Sequence, residues 1–184
     1  MGGLKNKTAK YFIALVLEGE SLKAVEALKT ELFERYGLKG ALRSPAHITL
    51  HRPFEWRLDR EDQLIKSLED FTFGEALQLN VHNFASFEPR VIYAHVEPDQ
   101  RLDQLHTILA QYCRQTLRLY NETDDRRGFH PHITIAFRDL KKPLFYQLEK
   151  EFQSRTLELD LRFLEFSLLK LEKQWEVLKK FNKS

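Results

Sequence analysis

Two hydrophobic periods alternate along the chain. Residues 11–17, YFIALVL, form an unbroken apolar run rich in β-formers and predict a buried strand. Leu22, Val25, Leu28, Leu32 and Phe33 then recur at helical spacing, an amphipathic stripe that Ser21 caps and that Gly37 and Gly40 end. Residues 46–51 read as a second strand, stopped by Pro53. Asp59 opens a short helix carrying Leu64, Ile65 and Leu68. Residues 77–84 and 91–96 read as strands, and the turn Glu88-Pro89-Arg90 joins them as a hairpin. A second long helix starts near Asp99, with Leu102, Leu105, Leu109 and Tyr112 along its buried stripe. A polar loop over 121–128 leads to a strand at 132–137, and Pro143 opens a helix reaching about Phe152. The segment 157–181 ends in two strand-like runs joined near Lys173-Gln174, where Trp175 and Val177 alternate with charged residues.

Mixed helices and hairpin-like strand pairs argue for an α+β fold with antiparallel sheets. No Gly- or Ser-rich linker divides the chain, so a single domain over 1–184 is expected, with a flexible tail over 1–9. One repeat is visible. Strand, helix, then His-Ile-Thr occurs in each half of the sequence.

The repeated tripeptide carries the chemistry. His47-Ile48-Thr49-Leu50 and His132-Ile133-Thr134-Ile135 stand 85 residues apart. Given the seven His in the chain, chance alone predicts roughly 0.01 His-Ile-Thr matches. On a strand, residues two apart share a face. His47 and Thr49 therefore share one face, as do His132 and Thr134, while the intervening apolar residues pack on helices. Two such strands bring two imidazoles and two hydroxyls to one groove. Imidazole, with an ordinary pKa near 6.5, serves as base or acid at neutral pH. Threonine hydroxyls can donate to phosphoryl oxygens as charge builds there. This set fits the opening of a 2',3'-cyclic phosphate, which needs a proton taken from water and another given to the departing ribose oxygen.

Composition narrows the alternatives. The chain is 42% hydrophobic and 30% charged with net charge +2, which excludes a strongly basic nucleic-acid coat but leaves room for a local patch. The single cysteine, Cys113, cannot form an internal disulfide, suits a reducing compartment and reads as a helix packing residue. No apolar run approaches the length of a membrane helix, and the start MGGLKNKTAK lacks the apolar core of a signal peptide. Asn6 stands where a myristoylation motif needs Ser or Thr. A cytoplasmic protein without membrane partners is the expectation, and two repeated lobes make a monomer sufficient.

Paired His-x-Thr-x motifs in this order and setting resemble the 2H phosphoesterase superfamily, in particular the 2'-5' RNA ligase-like and RNA 2',3'-cyclic phosphodiesterase proteins. The resemblance runs from Tyr11 to Phe181. It implies a bilobal α+β fold, with two antiparallel sheets flanked by helices around a central cleft, lined by His47, Thr49, His132 and Thr134. It also implies metal-independent hydrolysis without a cofactor, acting on RNA ends or a cyclic nucleotide, with 2'-5' RNA ligation as a related activity. Pro131 precedes the second motif as in many relatives, whereas Ala46 precedes the first, with Pro45 one residue earlier. Where many ligase-like relatives carry Arg, five residues after the second His, this chain has Phe137, followed by Arg138.

By strict alternation Arg138 falls on the His132 face and is expected to bind substrate. Arg126 and Arg127, in the loop entering the second motif, read either as contacts to an RNA backbone or, with Asp124 and Asp125 beside them, as a solvated charge run, and Phe129 reads either as core filling or as a ring that stacks on a base. Arg43 and Arg52 flank the first motif. His51 is expected at the surface, His130 in a loop, His82, His95 and His106 in structural or solvated positions, and Phe12 in the core. A zinc site is not expected, because the four-residue spacing of His47 and His51 suits a helix rather than a strand. The reading that competes with an enzyme is a module that binds RNA or a nucleotide without turnover.

Overall fold

A computed structural model describes residues 7–72, 74–122 and 128–182. Eight strands form one antiparallel sheet: β1 (Thr8–Val16), β2 (His47–Arg57), β3 (Leu77–Phe87), β4 (Val91–Val96), β5 (His132–Ala136), β6 (Glu158–Phe163), β7 (Glu165–Leu171) and β8 (Trp175–Asn182). Four helices, α1 (Gly19–Tyr36), α2 (Glu61–Glu69), α3 (Gln100–Tyr112) and α4 (Lys142–Gln153), complete the fold.

The strand order is β6-β3-β4-β5-β2-β1-β7-β8. The expected pair of sheets is thus one continuous sheet, built as two four-stranded halves. They meet where β2 pairs with β5 at Ile48 and Ile133. The repeat seen in the sequence is structural. β1-α1-β2 in one half corresponds to β4-α3-β5 in the other, and each motif histidine lies opposite the end of the strand before it, His47 across from Val16 and His132 across from His95.

Each half contains a matched irregularity. Ala14 pairs with Thr49 and Ile13 with His51, so Leu50 is an extra residue on β2. Tyr93 pairs with Thr134 and Ile92 with Ala136, so Ile135 is an extra residue on β5. A one-residue bulge interrupts the inward–outward alternation and increases local twist. Two consecutive residues after each Thr are consequently buried, Leu50 with His51 and Ile135 with Ala136.

One face of β1 places Tyr11, Ile13 and Leu15 in the main core with Ile48, Leu50, Ile133 and Ile135, together with α1, α3 and α4 through Leu32, Leu109 and Phe145. The other face places Phe12 and Ala14 with Leu169, Val16 and Trp175. Burial on both sides explains the unbroken apolar run of β1. Across α1 and α4, the Arg35 guanidinium donates to both Glu151 carboxylate oxygens at 2.7 and 2.9 Å.

Several local expectations change. Helix α1 begins at Gly19 with Glu18 in the capping position, so Ser21 lies inside it, and its buried face is Val25, Lys29 and Leu32, with Phe33 exposed. Pro53 does not stop β2, which continues to Arg57. It lies beyond the pairing with β5, where β2 needs no N–H on that side. Thr8 and Ala9, expected in the tail, pair with Arg57 and Trp56. The segment 157–181 holds three strands, the first of which crosses to the far edge beside β3. Asp99 caps α3 by accepting from the Arg101 and Leu102 N–H groups at 2.9 and 3.0 Å. Among the described residues no helix is long and apolar enough to cross a membrane.

Candidate active site

At the junction of the two halves, His47, Thr49, His132 and Thr134 line one cleft compartment of about 240 Å³. Antiparallel register through Ile48 and Ile133 sets each histidine across from the other motif's threonine. The two rings are held alike. Nδ1 of His47 lies 2.6 Å from the Pro45 carbonyl oxygen, and Nδ1 of His132 lies 2.7 Å from that of His130. A carbonyl only accepts, so each Nδ1 carries the proton and each Nε2 is the atom left for proton exchange.

Aromatic side chains pack against both rings. Phe12 meets His47 at a centroid distance of 4.8 Å, and Trp175 backs Phe12 edge-on at 4.7 Å. Phe87 and Tyr93 meet His132 at 5.0 and 5.1 Å. Burial therefore pushes the His47 imidazole down to about 4, opposed by its bond to Pro45 and reinforced by the positive charge of Lys29 and by His132. Burial lowers His132 as well, against the bond to the His130 carbonyl. Both rings rest neutral at pH 7, with Nε2 lone pairs available.

Arg138 and Arg43 line the same compartment, with Lys29 and Trp175. Arg138 arrives by another route than expected. Strand β5 ends at Ala136, the Ile135 bulge breaks the alternation, and a left-handed backbone at Arg138 (φ 70°) turns the chain at that point. The segment is pinned by Asp139, whose carboxylate accepts from the Lys39 N–H at 2.6 Å and the Gly40 N–H at 3.1 Å. Gly40 packs so closely that a Cβ there would lie 2.0 Å from the Phe137 carbonyl oxygen. The loop before the first motif and the loop after the second are thereby locked together.

A second compartment of about 310 Å³ adjoins the first and shares Thr49 and His132 with it. Phe129 lies here, its ring stacked on that of His106 at 3.9 Å and 7°, so one face of Phe129 is already covered. Glu122 and Arg52 complete the wall. Burial opposes ionisation of Glu122, but the bond from His106, the Arg52 N–H and the nearby positive charge outweigh it and hold the carboxyl below the usual range. Arg52 is thus tied into the wall through Glu122 and the Asn121 carbonyl rather than simply flanking the motif.

His51 is fully buried, edge-on to Phe54 at 5.4 Å, because the Leu50 bulge turns it to the core side. Arg126 and Arg127 lie outside the described residues. Cys113 is buried and its thiol is pushed up to about 12, which suits packing. Among the described residues no group of three or more His, Cys, Asp or Glu side chains is arranged to hold a metal ion.

Sequence reasoning did not bring Lys29 or Trp175 to the site, and it read Phe12 as core without its contact to His47. For Lys29 a signal existed, since Val25, Lys29 and Leu32 are spaced as one buried helix face. A lysine within such a stripe marks a charge brought inside for a reason.

Comparison with known proteins agrees with this architecture. Residues 17–175 match the sequence profile of the 2'-5' RNA ligase superfamily. A protein of Geobacillus sp. (strain WCH70), whose name proposes a phosphoesterase, is 30% identical over 177 residues, covering 94% of this chain and 95% of its own. A like-named protein of Oceanobacillus iheyensis is 29% identical over 165 residues, 87% of this chain and 88% of its own. Among solved structures, E. coli LigT complexed with 3'-AMP superposes with a TM-score of 0.69 at 18% identity, covering 97% of this chain and 99% of that one. TT0787 of Thermus thermophilus superposes with a TM-score of 0.62 at 21% identity, covering 94% and 97%. These likenesses establish the fold, and with the profile match over most of the sequence they establish that the chain belongs to the 2'-5' RNA ligase superfamily, within the 2H phosphoesterases.

Proposed function

We propose that the protein is a phosphodiesterase that opens 2',3'-cyclic phosphates of RNA or nucleotides by two-histidine acid–base catalysis, without a metal. The observation that carries the reading is the matched pair of imidazoles in one compartment, each with Nδ1 tied to a carbonyl and Nε2 left for proton exchange.

One Nε2 takes a proton from water as its oxygen attacks phosphorus. The bond from phosphorus to one ribose oxygen breaks, and the other imidazole, protonated, delivers its Nε2 proton to that oxygen. The product is a ribose phosphomonoester, and the two histidines exchange protonation states. The Thr49 and Thr134 hydroxyls donate to the non-bridging oxygens as negative charge grows, and Arg138 and Arg43 add positive charge. A ribose hydroxyl in place of water turns the same steps into 2'-5' ligation.

The adjoining compartment supports a nucleotide substrate. It is largely apolar, shares His132 with the phosphate side and offers aromatic walls, including Phe87 and Phe129, to a flat base. The E. coli neighbour was solved with 3'-AMP, a monoester of the kind this reaction releases.

The test is 31P NMR of 2',3'-cyclic AMP incubated with the protein, with and without EDTA. The expected result is a single monoester product at the same rate in both samples. Binding of the nucleotide with no product after prolonged incubation would instead favour a binding module.

A further inference from the structure

We propose that Lys29 and Glu26 form a positioning pair that fixes and electrostatically biases His47, making the two halves of the site unequal. The inference rests on the functional reading above. Lys29 is the only buried lysine among the described residues, and it lines the cleft compartment beside His47. Its Nζ donates to Glu26 at 2.9 Å and to the Ser44 carbonyl at 3.1 Å. The same Glu26 oxygen accepts from the Ala46 N–H at 2.8 Å. Ser44 and Ala46 flank Pro45, whose carbonyl receives the His47 Nδ1–H. The pair thus holds both sides of the residue that orients the ring.

The second motif is built otherwise. Helix α3 is the counterpart of α1, and its buried face is Leu102, Leu105 and Leu109. Burying an ammonium costs free energy that leucine would avoid, so a lysine in this stripe needs a compensating role. Glu26 offsets part of that cost, while burial lowers the affinity of Lys29 for its proton.

The charges around His47 are identifiable from each side. Lys29 comes from α1, Arg43 from the turn Ala41–Arg43, and His132 and Arg138 from β5 and the segment after it, while Phe12 and Trp175 present uncharged rings. Burial is the larger cause that makes His47 hard to protonate, and the Lys29 ammonium adds to it at His47 but not at His132, so the charge biases one half of the site only.

The test combines NMR titration of the His47 and His132 ring protons with kcat and KM on 2',3'-cyclic AMP, in the wild type, Lys29→Met, Lys29→Gln and Lys29→Arg. Lys29→Met should raise the His47 pKa, leave that of His132 in place, and lower kcat by about tenfold or more with a smaller change in KM. Lys29→Gln retains a donor for Ser44 without the charge, so it should show the same titration shift with a smaller loss of kcat, and it carries the test should Lys29→Met fail to fold. Lys29→Arg should restore the wild-type His47 titration. An unmoved His47 titration, or an unchanged kcat in Lys29→Met, overturns the proposal. The ring titration requires no turnover, so a protein inactive on the cyclic phosphate would sink the functional reading and leave this measurement intact.

Discussion

Ile48 and Ile133 are both fully buried and face each other across the seam between the two halves of the sheet. On the opposite side of the same two strands, this pair sets His47 beside Thr134 and Thr49 beside His132. A core contact thereby fixes the spacing of the polar groups above it.

Truncating that contact should cost both stability and geometry. Ile133→Ala removes a fully buried side chain, for which about 2–5 kcal/mol is the usual loss. Urea unfolding should show a lower midpoint with an unchanged slope, and kcat should fall although no cleft group is altered. A midpoint equal to the wild type would mean that the seam contributes little.

Acidity gives a second prediction. The base must be neutral and the acid protonated, so kcat/KM should peak between the two histidine pKa values whichever ring plays which role. With His47 near 4 and His132 below the ordinary 6.5, the maximum belongs on the acid side of neutrality. A maximum above pH 8 would contradict this. Stability responds to the same shifts. In the window from about 6.5 down to about 4 the unfolded chain binds more protons than the folded one, so folding stability should fall as pH falls through it. Thermal unfolding across that window checks the sign.

Gly40 supplies a third. Its φ of −57° is open to any residue, and the constraint is space. A Cβ would lie 2.0 Å from the Phe137 carbonyl oxygen and 2.8 Å from Asp139 Oδ1. Gly40→Ala must therefore push the 137–139 segment away and displace Arg138 from the cleft. The expected outcome is a loss of about 1–3 kcal/mol, typical of overpacking, with KM for the cyclic nucleotide raised more than kcat is lowered. Wild-type melting and kinetics together would show that the two loops are not coupled.

Much of this is legible in the sequence. The strand–helix–His-Ile-Thr repeat foretells the pseudo-symmetric halves, because two-residue alternation in each motif has a single consistent reading as a strand with one polar face. Alternation fails where a bulge enters. Leu50 and Ile135 each add a residue that leaves no mark on the hydrophobic pattern, so strict alternation puts His51 at the surface and puts Arg138 on the His132 face by a count that the bulge breaks. The merging of two sheets into one is equally hidden, since it turns on the single pairing of Ile48 with Ile133. Phe12 reads as core and is core, and only the fold shows that the same ring also faces His47.

Whether His47 and His132 act on one phosphate is decided by kcat for 2',3'-cyclic AMP in His47→Ala and His132→Ala, each checked for native folding by circular dichroism. Each variant should lose about 10²–10⁴ in kcat, and the double variant should lose little more than either alone, because the two rings serve one proton-transfer cycle. Near-wild-type turnover in either single variant would refute a shared role for the pair.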